Sequence, residues 1–306
     1  MSEAKAMEVS TVVELVLMGL GRGAIYALMA LGLALILGIL NIPSFAQGEF
    51  YMVGTYFAWV GLSILGFGPF IALLIAAFAT FLLGMSCEKV IFAPLRKFGG
   101  GEWLVNVFVL TLGLSLVLQN MALVTAGPLY YGAPYFWGPG IVDLFGFRIS
   151  YDRLMIIVLA NTIIFIFWVF LKRTRLGRAI RAVAQNPTAA SLTGVNLSRI
   201  YTITFGVGCM LSGIAGALMV AILPAYPTMG IIPLYKGWFV VIIAGLGTIG
   251  ACIPIALLLG VMEAVGLIAA SEGWQTVLYL IIICILLILK PFGIFGKGEV
   301  RGIWEK

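Results

Sequence analysis

The chain has 306 residues, 62% of them hydrophobic and only 10% charged, with a net charge of +6 and a mean hydropathy of +1.15. A water-soluble domain carries about 25% charged residues, so this chain has too little charge to coat an aqueous surface and reads as an integral membrane protein. Its lack of histidine excludes a histidine-based triad, a zincin site and histidine-ligated haem. In chain order, the start MSEAKAMEVS is polar, and the apolar run behind it is long and has no small-residue cleavage site, so no cleaved signal peptide is expected. Apolar runs follow at 12–40, 50–66, 69–90, 103–126, 152–171, 201–223, 236–247, 251–270 and 275–290. Most are long enough to be spanning helices, because a bilayer core of roughly 30 Å takes about 20 apolar residues. Alternation with a period of two is absent, which argues against a transmembrane barrel, and backbone groups facing lipid must bond within their own segment. The expected fold is all-α: one polytopic transmembrane domain over 1–306 with eight to ten spans. The run 12–40 exceeds one span, and Gly21-Arg22-Gly23 inside it offers a place for a break. Cys87, Cys209, Cys252 and Cys284 lie within or at the end of apolar runs and read as small hydrophobes.

The stretch NIPSFAQGEFYMVGTY, 41–56, interrupts this hydrocarbon with polar groups. Pro43 removes a backbone donor and Gly48 tolerates an unwound turn, which frees backbone groups for a solute. On that reading Asn41, Ser44, Gln47 and Glu49 line a water-filled path. The competing reading is a cytoplasmic loop with helix caps, in which Glu49 merely suits a helix start. Shifting the chain by 182 residues places Gly48 on Gly230, Tyr56 on Trp238, Gly68 on Gly250 and Gly84 on Gly266. That match suggests an internal repeat, with halves of about 12–150 and 152–290. By the charge-based orientation below, its copies are inverted, which places a transport route between them near the midplane. Glu263 is the one acid well inside an apolar run. It reads either as a cavity-facing group on the same path or as a polar contact between helices. Gln119 and Asn120 are expected to hydrogen-bond between helices.

Orientation follows from basic loops. The loop 172–200 carries Lys172, Arg173, Arg175, Arg178, Arg181 and Arg199 and no acid; 88–102 carries Lys89, Arg96 and Lys97, and the tail carries Lys290, Lys297, Arg301 and Lys306. All three belong on the cytoplasmic side, and the aromatic, Gly- and Pro-rich stretch 126–147 between the first two on the outer side. The net charge is thus a topology signal and not a nucleic-acid surface. The short run 236–247, about 18 Å of helix, must then act as a span or half-span to bring the tail back inside.

The loop KRTRLGRAIRAVAQNPTAASLTGVNLSRI, 172–200, is far longer than a simple reversal needs. Its pattern predicts a short amphipathic helix around Arg178–Gln185, a stop at Asn186-Pro187, a small-residue helix from Thr188 to Thr193 and a turn at Gly194. Such a loop docks a cytoplasmic partner or, alternatively, anchors to anionic lipid. No P-loop is present, since PFGIFGKG lacks both the spacing and the hydroxyl, so ATP hydrolysis by this chain is not expected.

The loop resembles the cytoplasmic coupling loop of LivH-type permeases, the membrane subunits of branched-chain amino acid ABC importers, and the resemblance runs along nearly the whole chain. SFAQGEFYMVGTY resembles the family's segment after the first span, with Gln47 where histidine is frequent. EKVIFAPLR resembles its first basic loop, with Ala93 where arginine is usual. GLSLVLQN, AGLGTIGACIPIALLLGVMEA and KPFGIFGK resemble later blocks in order. The resemblance implies a permease of the bacterial inner membrane that pairs with a second, related permease, two cytoplasmic ATPase subunits and a periplasmic solute-binding protein. It implies that this chain holds no cofactor or metal itself, ATP and magnesium residing on the ATPases. The matching coupling positions are Gly177, Ala179, Arg181, Ala182, Ala189 and Gly194, within a loop that also offers Arg175, Arg178, Asn186 and Pro187. Branched-chain or other hydrophobic amino acids are the expected substrates, with urea or short amides as an alternative. An ion-coupled secondary transporter working alone is the runner-up, and the scarcity of intramembrane carboxylates counts against it.

Overall fold

The computed structural model describes residues 2–98, 103–133, 136–138, 140–144, 147–269, 272–290 and 293–296. Lys297, Arg301 and Lys306 of the basic tail therefore lie outside the described residues. The elements are α1 (Ser2–Leu40), α2 (Gln47–Trp59), α3 (Pro69–Cys87), α4 (Ala93–Phe98), α5 (Trp103–Ala126), β1 (Ile141–Leu144), β2 (Phe147–Ser150), α6 (Tyr151–Arg173), α7 (Arg175–Gln185), α8 (Pro187–Leu192), α9 (Leu197–Met219), α10 (Ile231–Ala244), α11 (Ile249–Ala269) and α12 (Glu272–Leu289). The chain is an all-α polytopic membrane protein: among the described residues, six helices are long and apolar enough to cross a bilayer, and α10 is a shorter apolar helix.

The break allowed near Gly21 does not occur, and α1 runs through it as one helix. The glycines there serve close packing instead. A Cβ on Gly19 would stand 2.7 Å from the Val261 Cα, and one on Gly23 would stand 2.8 Å from the Leu257 Cα, so the α1 and α11 backbones nearly touch. Small residues spaced by four do this between helices in lipid, where close van der Waals packing replaces the hydrophobic drive. The 88–102 stretch is likewise not a plain loop. A π-helical turn, Glu88–Phe92, carries α3 onward into α4. There Arg96 pairs with the buried Glu88 and lies over the Tyr201 ring, 4.4 Å from its centroid.

Burial sorts the helices. The apolar windows of α1 and α9 are 89% and 83% buried, whereas those of α5 and α6 are 22% and 28% buried, so the first two form the centre and the last two the lipid-facing rim. α9 is the hub. Its Gly208 meets Gly32 of α1, its Gly206 and Gly213 meet α3, and its Gly216 meets α2. α1 packs on α11 much as α9 packs on α3, and the two central helices also pack on each other. Gly48, at the start of α2, and Gly230, just before α10, touch backbone to backbone.

A two-stranded antiparallel hairpin, β1–β2, precedes α6. It is the one pair of strands among the described residues, in a stretch read from sequence only as an aromatic outer loop. Aromatic pairs gather at this end, including Trp59–Tyr131 at 4.4 Å and Tyr130–Tyr226 at 5.1 Å between centroids.

Candidate functional site

A cavity of about 630 Å³ opens at the end of the bundle where α6 begins, lined there by Ile149 and Arg153. Its walls come from α1, α6, α9, α10, α11 and the segment after α9, and Tyr51 of α2 and Met229 also line it. Those two lie three residues and one residue from Gly48 and Gly230, so the contact between the starts of α2 and α10 lies next to this lining. The lining is mainly aliphatic, with Leu17, Ile25, Ile156, Met219 and Ile222 among it.

A charged cluster faces into that space, whose lining also includes Glu14 and Arg153. Glu263 of α11 is buried, and its Oε1 accepts hydrogen bonds from Tyr26 Oη at 3.2 Å and Arg22 Nη1 at 3.4 Å, both on α1. Its Oε2 accepts one from Lys236 Nζ of α10 at 3.1 Å. Three helices thus meet at one carboxylate. The local folding explains the convergence: Arg22 sits between the glycines that bring α1 against α11, and Lys236 lies one position before Gly237, which fits against Met29 and Leu33 of α1. Pairing and hydrogen bonding are what a buried charge requires. Glu263 thus lines the cavity and at the same time makes polar contacts between helices. Arg22, Tyr26 and Lys236 were not among the residues expected from sequence. A signal for two of them existed: Arg22 and Lys236 are cations within or beside apolar runs, and a buried acid needs such partners.

The other path candidates lie elsewhere. Asn41 ends α1 with φ of 54° and is exposed, a left-handed cap. Ser44 and Gln47 are buried; Gln47 Nε2 donates to Gly208 O and Ser212 Oγ, each at 2.8 Å, tying the start of α2 to α9. Glu49 turns the other way, toward α5, where its Oε1 accepts from Ser115 Oγ at 2.9 Å and Gln119 Nε2 at 2.8 Å. Gln119 therefore bonds between helices as expected, whereas Asn120 bonds only to Leu116 O of its own helix. Of the five candidates, Glu263 alone lines the cavity.

At the opposite end of α6, the 172–200 loop is ordered by its own caps. Thr174 Oγ1 accepts from Gly177 N at 2.9 Å and starts α7, and Asn186 Oδ1 accepts from Ala189 N at 3.0 Å and starts α8 ahead of Pro187. Gly194 ends the motif with φ of 86°. α7 is amphipathic in practice: Gly177, Ile180 and Val183 are buried, while Arg175, Arg178, Arg181 and Ala182 are exposed. Gly177 lies against the last carbonyls of α6, where a Cβ would collide with backbone, so its role here is packing. Ala179 is half-buried; Pro187 and Ala189 are exposed, and Leu192 is left 85% exposed at the tip of α8.

A family model described as the permease component of branched-chain amino acid transport systems matches residues 15–289. The chain is 31% identical over 300 residues to the high-affinity branched-chain amino acid transport system permease protein BraD of Pseudomonas aeruginosa, covering 93% of this chain and 96% of that one. It is 28% identical over 298 residues to LivH of Escherichia coli, with the same coverage. The ribose import permease protein RbsC of Escherichia coli is 29% identical over 219 residues, covering 69% and 63% of the two chains. No solved structure matches.

Proposed function

The chain belongs to the family of permease components of branched-chain amino acid transport systems, and from that premise we propose that it carries branched-chain or related hydrophobic amino acids inward across the bacterial inner membrane, driven by ATPase subunits that it does not itself contain. The observation that carries the reading is the α7–α8 platform. Helices ordered by their own caps bury Ile180 and Val183 against the bundle and leave Arg178, Arg181 and Leu192 exposed, with Arg181 reaching back only to the Lys172 carbonyl at the end of α6. An exposed cationic and apolar ledge of this kind suits the acidic, partly apolar groove of a protein partner. In this reading Ala182 and Ala189 permit close approach, and two ATPase subunits hold the ATP and magnesium.

The rest of the molecule takes its place around that ledge. With the basic loops inside, α6 runs from the outer face to the ledge, and the cavity at its other end opens outward, toward a periplasmic binding protein. Counting α2 with the π-helical turn Val60–Ile64 that extends it, α10 and α12 adds three crossings to the six long helices, within the expected eight to ten. The mutual contact of Gly48 and Gly230, paired by the 182-residue shift, supports inverted halves. Closure between α2 and α10 then separates the outer cavity from the inner polar stretch containing Ser44 and Gln47. A second, related permease completes the membrane portion.

The test is reconstitution in liposomes. With the second permease, ATPases and liganded binding protein, leucine accumulates only when ATP is supplied on the ATPase side. Accumulation by this polypeptide alone, down a proton or sodium gradient, would overturn the proposal.

A further inference from the structure

We infer that the inner end of α6 is a binding site for the head group of an anionic phospholipid, held by Lys172 and Arg173 beside Trp168. The inference goes beyond the transport reading and takes from it only the orientation that puts the basic loops inside. α6 belongs to the lipid-facing rim, and its buried stripe, Ile156, Ala160, Ile164, Phe167 and Leu171, packs on the bundle. Two exposed ridges run along it at helical spacing: Phe165, Trp168 and Lys172 form one, and Ile166 and Arg173, with the half-buried Val169 between them, form the other. Both ridges end in a cation. Trp168 stacks on Phe165 with 6.2 Å between ring centroids, and the Lys172 ammonium lies over the Trp168 ring, 4.0 Å from its centroid. A ring capped by a cation suits the membrane–water boundary, where indole sits at head-group depth and long basic side chains reach for the polar layer.

Neither cation is neutralised by the fold. Among the described residues Lys172 and Arg173 form no ion pair, and both are exposed. Basic residues in a last turn also suit the helix dipole, but the carbonyls there have other donors: Phe170 O accepts from Thr174 N and Oγ1, and Lys172 O accepts from Arg181 Nη2. The loop 172–200 contains no acid. A phosphodiester fits this corner, because the Arg173 fork matches two phosphate oxygens and Lys172 adds a point charge. Two cations with no acid in their loop repel the ammonium or choline of a zwitterionic head group, so a lipid of net negative charge is selected. The apolar part of the ridges, with Phe165 63% and Ile166 59% exposed, meets the acyl chains. A packed contact with another membrane helix favours small side chains, and these ridges carry bulky ones. Arg178 and Arg181 remain in the docking ledge, so partner docking and lipid anchoring divide between α7 and the end of α6.

The full chain, alone and assembled with its partners in mild detergent, is titrated with phosphatidylglycerol or phosphatidylcholine, and native mass spectrometry counts the lipid retained. Lys172→Gln/Arg173→Gln is compared with wild type and with Lys89→Gln/Arg199→Gln, which removes the same charge from exposed positions on other inner segments. All four side chains are exposed, so folding is not at stake. A basic side chain near an anionic surface is worth about fivefold in binding, so the α6 double variant is expected to lose at least about tenfold in phosphatidylglycerol affinity with phosphatidylcholine unchanged. The control is expected to stay within about twofold of wild type. Equal losses in both double variants overturn the inference, because the attraction is then diffuse. No loss in the α6 variant overturns it, and so does full competition by inorganic phosphate, the mark of a site for a soluble anion. Retention by the chain alone but not by the assembled importer overturns it too, since the second permease then covers these ridges. The readout is lipid and not uptake, so the transport reading stands or falls separately.

Discussion

Gly48→Ala tests the close packing between the starts of α2 and α10. A Cβ at Gly48 would stand 2.6 Å from the Gly230 carbonyl oxygen, 3.0 Å from its carbon and 3.2 Å from Leu234 Cβ, about 0.8 Å inside the 3.4 Å at which ordinary contact begins. The nearest obstacle is backbone, which has no rotamer to swing away, so the starts of α2 and α10 must separate. Overpacking of this kind typically costs about 1–3 kcal/mol, and alanine in place of glycine returns roughly 0.5–1 kcal/mol of helix propensity. The net expectation is a loss of about 1–2 kcal/mol. Gly113→Ala is the control: it lies exposed on α5, and an added Cβ there has nothing within 4 Å, so it is neutral or stabilising. Thermal release of the buried thiols Cys87, Cys209 and Cys252 to a thiol-reactive dye in detergent orders the variants. Gly48→Ala must unfold below wild type and below Gly113→Ala. An unfolding midpoint for Gly48→Ala equal to that of Gly113→Ala would refute the close-packed contact.

Three further outcomes follow from particular contacts. Arg181→Glu reverses charge on the exposed face of α7 and is expected to cut co-purification with ATPase subunits at least tenfold while insertion proceeds; unchanged co-purification removes the docking role. Asn186→Ala deletes the side-chain cap on Ala189 N, a loss of about 1 kcal/mol, so amide exchange in α8 should quicken roughly fivefold; an unchanged rate means the cap contributes nothing. Gln119→Leu takes one of two donors from the buried Glu49 carboxylate, at about 1–3 kcal/mol. It should therefore lower the unfolding midpoint more than Asn120→Leu, whose amide bonds only within its own helix, and equal shifts would contradict this account.

What could be read in advance depended on whether the cause was local. The ends of α7 and α8 were legible because Asn186, Pro187 and Gly194 act on their own neighbours, through a cap, a fixed φ and a left-handed turn. The six long spans were legible because hydropathy is a property of the segment itself. α1 was ambiguous because glycine has two opposite uses: Gly21 and Gly23 could mark a break or an approach, and only the helices that come against them decide, α6 at Gly21 through Ile157 and α11 at Gly23 through Leu257. The hairpin before α6 escaped notice because four-residue strands carry too little alternation to stand out among aromatics and glycines.

The two acids best placed to matter inside the membrane show the limit most clearly. Glu49 sits in the most polar stretch of its surroundings, yet it points at α5, where Ser115 and Gln119 satisfy one oxygen, and it does not line the cavity. Glu263 sits in unbroken hydrocarbon, yet it receives Arg22 from 241 positions away and Lys236 from 27, and faces open space. Local polarity therefore does not tell which of the two lines the cavity. A buried carboxylate needs partners, and whether these come from a neighbouring helix turn or from the far end of the chain is decided by tertiary packing. The stronger clue was the isolation of Glu263: a lone acid in hydrocarbon must recruit its cations from other helices, here Arg22 of α1 and Lys236 of α10.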